Sequence, residues 1–153
     1  MRFSTLRHDH PAMEETPTAM NRPSTLRRIL VIDHDDDVRG ILCEQLSTFG
    51  FDVEADDSGV SGLTRIACDW DTAPIHGLLV ELQMPVIGGL AILQEMVERF
   101  PTVPVIAMSD SAHVGKLRQA MKLGAREYLI KPFDRELLRR KCHSVFLGGT
   151  ESP

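Results

Sequence analysis

Short apolar segments alternate along this chain with longer segments in which apolar residues recur every three or four positions. The short segments are typical of strands that are buried on both faces of a sheet, and the longer ones of amphipathic helices. The strands are predicted at residues 28–32, 51–55, 77–82, 103–108 and 127–130. A helix is predicted after each strand, and the five helices end near Phe49, Ala67, Val97, Leu123 and Phe146.

This alternation predicts an α/β fold with a doubly wound parallel sheet. Parallel strands need crossover connections, and helices of this length would cover both faces of the sheet. We expect one domain over residues 28–147, a disordered polar extension over 1–27 and a short tail over 148–153. Translation could begin at Met1, Met13 or Met20. The tail is too short for a second domain, so we expect the output to come through another protein.

Charge and composition exclude several classes of protein. The net charge of −5 argues against direct binding to nucleic acid, and no apolar run is long enough to span a membrane. The three cysteines, Cys43, Cys68 and Cys142, have neither a metal-type nor a C-x-x-C spacing. We therefore expect reduced thiols in a cytoplasmic protein.

Polar residues stand at the carboxyl ends of four predicted strands. They are Asp33, His34 and Asp35 after the first strand, Glu81 after the third, Ser109 after the fourth and Lys131 after the fifth. These ends share one edge of a parallel sheet, where α/β proteins place their ligand sites. Carboxylates, a hydroxyl and an ammonium would suit magnesium-assisted phosphoryl chemistry. The alternative is that these positions are polar only because strand ends reach solvent.

Four motifs carry a resemblance to a known family: ILVIDHDDDVR, VELQMPVIGG, VIAMSDS and GAREYLIKPF. Through these motifs the chain resembles the receiver domain of bacterial two-component response regulators. Within that family it resembles the single-domain regulators of the chemotaxis type. The resemblance implies a flavodoxin-like sheet of order 2-1-3-4-5 with five helices. It also implies phosphoryl transfer from a histidine kinase to an aspartate with Mg²⁺. Signalling would then use the surface of the fourth helix, fifth strand and fifth helix.

The resemblance assigns roles to five matching positions. Asp33 matches an acidic pocket residue, Ser109 the hydroxyl that moves onto the phosphoryl group, and Tyr128 the aromatic switch residue. Lys131 matches the family's lysine, and Pro132 implies a cis peptide bond after it. Asp35 is a further candidate member of the acidic pocket.

Two positions depart from the family pattern. His34 stands where a second acidic metal ligand is expected, and Glu81 stands where the phosphoacceptor aspartate is expected. The extra methylene of Glu81 moves its carboxylate by ~1.3 Å, and a misplacement on that scale costs ~100-fold in an in-line reaction. A magnesium site formed by Asp33 and Glu81 would also lack an oxygen ligand at position 34.

These departures favour a degenerate receiver that is not an enzyme and requires no cofactor. It would bind a histidine kinase, a phosphotransfer protein or an output protein through the surface named above, or form a homodimer. The last helix is basic there, through Arg135, Arg139, Arg140 and Lys141. A conventional Mg²⁺-dependent phosphoreceiver is the alternative, and a small-molecule-binding or enzymatic α/β domain is the third interpretation.

Overall fold

The computed structural model describes residues 26–148, in which five strands alternate with five α-helices. The strands are β1 (Arg28–Ile32), β2 (Asp52–Asp56), β3 (Gly77–Glu81), β4 (Val105–Asp110) and β5 (Glu127–Lys131). The helices are α1 (Asp36–Thr48), α2 (Gly59–Asp69), α3 (Gly89–Arg99), α4 (Val114–Leu123) and α5 (Arg135–Phe146). Most of the predicted extension (1–27) and tail (148–153) lies outside the described residues. Within them, no helix has the length and apolarity that crossing a membrane requires.

All neighbouring strands pair in parallel, in the order β2-β1-β3-β4-β5. This confirms the predicted flavodoxin-like, doubly wound sheet. The carboxyl ends of the central strands are aligned, because Ile32 pairs with Val80 and Glu81 pairs with Met108. The residues that follow the central strands therefore meet at one edge of the sheet.

The sheet separates two apolar clusters, one on each face. One cluster contains Leu79 together with residues of α1 and α5, and the other contains Leu78 and Val80 together with residues of α2, α3 and α4. Every residue of β3 is buried. A shift of the strand by one residue would exchange its two faces and turn Glu81 toward the opposite apolar cluster, so the position of this carboxylate depends on the register of β3.

Two boundaries differ from the prediction for identifiable physical reasons. β4 begins at Val105 because the N–H of Val103 already donates to Phe100 O in a turn, and Pro104 has no N–H. The apolar spacing predicts that α4 begins at Ala112, but it begins at Val114, after a short 3₁₀ turn over Ser111–His113. The Asp110 carboxylate accepts a hydrogen bond from Ala112 N and so caps this turn.

Gly89 is required by the close approach of α3 to the end of β3. A Cβ atom at this position would collide with the carbonyl oxygen of Glu81 and with Leu82 Cα, at 2.6 Å from the latter. We predict that Gly89→Ala lowers the free energy of unfolding by about 2 kcal/mol, since the backbone must shift to make room. Urea denaturation measures this loss.

Gly40 provides the matched control because it lies in α1 with no atom near its missing Cβ. Gly40→Ala should raise the unfolding free energy by about 1 kcal/mol, through helix propensity alone. Equal effects of the two substitutions would contradict the close approach at Gly89.

Burial of Cys142 should make the free energy of unfolding fall at alkaline pH. Its side chain is fully buried in α5, and burial raises the pKa of its thiol to about 12, from 9.0. The fold holds the neutral thiol while the unfolded chain releases the proton, so stability is complete below pH 9 and falls as the pH rises toward 12. The loss should reach about 2 kcal/mol at about pH 10.5.

The measurement is urea denaturation between neutral and alkaline pH, with Cys142→Ala beside wild type. The variant should be less stable at neutral pH but should lose stability less steeply above pH 9. Cys68 is exposed, and Cys68→Ala is expected to keep the wild-type slope. Identical slopes for wild type and Cys142→Ala would contradict this assignment.

Candidate functional site

Glu81 is a buried carboxylate at the carboxyl end of the central strand. Only 3% of the residue is exposed. The strand pairing continues one residue beyond it, where Leu82 N donates to Met108 O at 2.8 Å. The N–H of Gly89, the first residue of α3, donates back to Leu82 O at 3.2 Å. The backbone after Glu81 is therefore fixed by β4 on one side and by α3 on the other.

Lys131 brings the carboxylates of Asp33 and Glu81 together. Its Nζ donates to Asp33 Oδ2 at 2.7 Å and forms an ion pair with Glu81 Oε1. The three residues share a face because side chains alternate along a strand. Each stands two positions after a residue of the α1–α5 apolar cluster, namely Val31, Leu79 and Leu129.

The remaining carboxylate oxygens are held by backbone N–H groups. Asp35 N donates to Asp33 Oδ1 at 2.9 Å, and Gln83 N donates to Glu81 Oε2 at 2.7 Å. Every carboxylate oxygen of the Lys131 cluster, meaning Asp33, Glu81 and Lys131, thus has a partner. This satisfies the requirement that buried charges be paired and hydrogen-bonded.

The ammonium of Lys131 is strongly favoured in this position. Burial lowers the pKa of Lys131, but the hydrogen bonds from its ammonium to Asp33 and Glu81, together with their charges, outweigh burial and raise it. Lys131 is therefore charged throughout the physiological range. The cluster places one ammonium against two carboxyl groups.

His34 and Asp35 lie at the rim of the cluster. The His34 side chain is 47% exposed, and its Nδ1 lies 4.0 Å from Asp33 Oδ1, at the outer limit of an ion pair. Asp35 is the N-cap of α1 and accepts hydrogen bonds from Asp37 N and Val38 N. The bond from Val38, followed by smaller contributions that include the one from Asp37, lowers the pKa of Asp35. Its carboxylate is thus directed at the start of the helix.

Neither predicted switch residue has a side-chain hydrogen bond to the Lys131 cluster within residues 26–148. Ser109 is fully buried, and its hydroxyl has no hydrogen-bond partner among residues 26–148. Tyr128 lies on the exposed side of β5, with the Lys141 ammonium 4.3 Å from the centre of its ring. The Lys131–Pro132 peptide bond is cis, as the resemblance implies.

Gln83 and Arg39 belong to the site although nothing in the sequence singled them out. Gln83 holds Glu81 through its backbone, and its side-chain Nε2 is buried without a partner in the described chain. Arg39 Nη1 donates to the carbonyl oxygen of Asp33 at 2.9 Å. Gln83 lies in the motif VELQMPVIGG and Arg39 ends the motif ILVIDHDDDVR, but neither motif assigned these residues a role.

The resemblance implies Mg²⁺, but the donors at this site differ from those that Mg²⁺ takes. Magnesium takes six oxygen ligands in near-octahedral geometry. Here Asp33 and Glu81 are both engaged by Lys131, and the imidazole of His34 offers nitrogen instead of oxygen. No group of three or more His, Cys, Asp or Glu side chains within residues 26–148 could hold a metal ion. The side chains present therefore fit the lysine ammonium and do not fit Mg²⁺.

Sequence relatives agree on one family. The profile described as "Response regulator receiver domain" matches residues 29–143. Response regulator MprA of Mycobacterium avium (strain 104) is 34% identical over 118 residues, which cover 77% of this chain and 50% of that protein. Regulatory protein AtoC of Escherichia coli (strain K12) is 33% identical over 111 residues, which cover 72% of this chain and 23% of AtoC. The chain thus spans between about a quarter and a half of the length of these relatives.

A solved structure gives the same result for the fold. The response regulator receiver domain protein from Clostridium thermocellum superimposes with a TM-score of 0.74 and 27% sequence identity, over 80% of this chain and 96% of that one. Receiver domains are signalling modules of two-component systems. The strand order, the carboxyl-edge cluster and these matches together show that the chain belongs to the response regulator receiver domain family.

Proposed function

We propose that this chain is an atypical receiver module of two-component signalling, which acts by binding a protein and without ordinary phosphorylation at Glu81. The observation that carries the proposal is the ion pair between Glu81 and Lys131 at the phosphoacceptor position. An internal carboxylate–ammonium contact already occupies the place where a phosphoryl group would meet the lysine.

The length of Glu81 removes the geometry that transfer requires. One of its oxygens is engaged by Lys131 and the other by the N–H of Gln83. Attack on a phosphoryl donor needs a carboxylate oxygen aligned with the leaving group, and an error of about 1 Å costs ~100-fold. Releasing an oxygen from either partner would leave a buried polar group unsatisfied.

The charges at the site support a single resting state. A phosphorylated side chain carries about −1.5 to −2, while Glu81 brings a single negative charge to the same neighbourhood. The single ammonium of Lys131 already pairs with both Glu81 and Asp33, although its charge balances only one of them. The arrangement needs neither a phosphoryl group nor a metal ion to hold Lys131 in place, so we propose that no cofactor is required.

The proposed partner surface is the face formed by α4, β5 and α5. A groove of about 270 Å³ opens there between α4 and β5, lined by Val114, Leu117, Arg118, Met121, Tyr128 and Ile130. Val114, Met121 and Tyr128 are exposed apolar or aromatic residues on this groove. Exposed apolar clusters with a polar rim are typical of protein-binding surfaces.

The basic residues of α5 contribute less than the sequence suggested. Arg139 pairs with Glu136, and Lys141 contacts Glu127 and the ring of Tyr128. Arg135 donates to Thr48 Oγ1. Because the charges of Arg139 and Lys141 are compensated by Glu136 and Glu127, we propose that the apolar groove carries recognition of a kinase, phosphotransfer or output protein, or of a second copy of this chain.

The proposal also makes the chain a non-catalytic protein of the cytoplasm. Its cysteines Cys43, Cys68 and Cys142 are free thiols, which suits a reducing compartment.

The direct test is intact-mass spectrometry after incubation with acetyl phosphate and Mg²⁺. Wild type should gain no phosphoryl group, because Glu81 is misplaced and held by two partners. A double variant with His34→Asp and Glu81→Asp restores both family carboxylates and should be labelled, at a rate at least ~100-fold higher.

Two single variants separate the causes. Labelling of Glu81→Asp alone would assign the block to the extra methylene, and labelling only of the double variant would show that the oxygen ligand at position 34 is also needed. Phosphorylation of the wild-type chain at Glu81 would overturn the proposal in favour of a conventional phosphoreceiver.

A further inference from the structure

A cavity of about 580 Å³ opens at the amino edge of the sheet, opposite the Lys131 cluster. Its walls come from the segments that precede β1, β3, β4 and β5 and from the end of α5, so they are distant in sequence. The cavity includes Arg27, Trp70, His76, Val103, Arg126 and Phe146. Its size lies within the ~300–1,000 Å³ that small-molecule sites occupy.

The cavity is electropositive in a chain that is acidic overall. The net charge of the chain is −5, yet no Asp or Glu within residues 26–148 lines this cavity. Arg27 and Arg126 both line it, and both are exposed. Neither arginine side chain forms an ion pair with another residue of the described range. Two guanidinium groups on one cavity, without an acidic partner among residues 26–148, favour an anionic occupant.

His76 adds a neutral hydrogen-bond donor to the same wall. Its backbone N–H donates to Arg28 O at 2.7 Å, and its Nδ1 accepts from Arg28 N at 2.8 Å. Burial, followed by the charges of Arg27 and Arg28, lowers the pKa of His76, so the ring is neutral at pH 7. With Nδ1 accepting, the single proton of the ring lies on Nε2, which can donate.

The rest of the lining is apolar and partly aromatic. The Trp70 ring packs against Phe100, with 4.7 Å between the ring centres. Ile75, Val103 and Phe146 are buried beneath the cavity. Such a surface would bury a flat apolar group beside the arginines.

We infer that this cavity binds a small organic anion, in which a carboxylate, phosphate or sulfonate is attached to a flat apolar ring. Arg27 and Arg126 bind the anionic group, and the apolar floor with Trp70 binds the ring. The inference goes beyond the proposed function and does not depend on it, since Glu81 lies at the other edge of the sheet.

The test uses 8-anilinonaphthalene-1-sulfonate as the probe and the full chain as the protein. Trp70 is the only tryptophan, so energy transfer from it to the probe reports binding. The double variant Arg27→Gln, Arg126→Gln should raise the Kd at least ~10-fold, because both charge-assisted hydrogen bonds are lost.

A matched control removes the same charge elsewhere. Lys122 and Arg140 are exposed and do not line the cavity. The control variant Lys122→Gln, Arg140→Gln should leave the Kd within about twofold of wild type. The inference is wrong if the cavity variant binds as tightly as wild type, or if the control weakens binding equally.

Two further comparisons fix the chemistry and the source of the anion. The uncharged analogue N-phenyl-1-naphthylamine should bind at least ~10-fold more weakly than the sulfonate. Equal affinities would show that the cavity binds only the apolar rings, and would contradict the inference. A chain trimmed to residues 26–148 should bind the probe as the full chain does. Binding at least ~10-fold tighter after trimming would show that residues 1–25 or 149–153 of this chain compete for the cavity, and would overturn the inference.

Discussion

The ammonium of Lys131 is the interaction on which the functional edge of this protein depends. It contacts Asp33 after β1 and Glu81 at the end of β3, although β5 is separated from both strands by β4. Each carboxylate is buried, and neither could be kept charged there without a cationic partner and hydrogen bonds. The lysine therefore fixes the side chains of three strands, and the backbone N–H groups of Asp35 and Gln83 complete the arrangement.

The same contact links structure to function. A receiver that is phosphorylated must leave a carboxylate oxygen free for attack and its lysine free to meet the phosphoryl group. In this chain the Glu81 carboxylate forms an ion pair with the Lys131 ammonium. Phosphoryl transfer would require that this contact be broken. Under the proposed function, this contact would hold the site in one arrangement without a covalent signal.

The sequence predicted the fold well because its strongest signals are local and periodic. The apolar run of β3, buried at every residue, and the β–α alternation sufficed for the sheet and its topology. The ends of the strands and helices were harder to predict. For example, the late start of β4 depends on a turn hydrogen bond between Val103 and Phe100. The convergence of Asp33, Glu81 and Lys131 was also predictable, because parallel strand ends share an edge.

Side-chain direction and distant contacts could not be read from the sequence. Asp35 looks like a ligand in the motif, yet its carboxylate caps α1. Gln83 contributes a backbone N–H, which any residue except proline could have supplied there. The cavity at the amino edge depends on Arg27, His76 and Arg126, and only the folded sheet brings together residues so far apart in the chain.

The most direct test of the Lys131 cluster is a pair of ¹H–¹⁵N NMR spectra of the wild-type chain, without and with Mg²⁺ and beryllofluoride, which mimics a phosphoryl group on a carboxylate. The double variant His34→Asp, Glu81→Asp serves as the positive control and should show shifts around Gln83, Ser109 and Tyr128. If the internal ion pair occupies the site, the wild-type amides at these positions will not move. Saturable shifts centred on Glu81 in the wild-type chain would contradict the account.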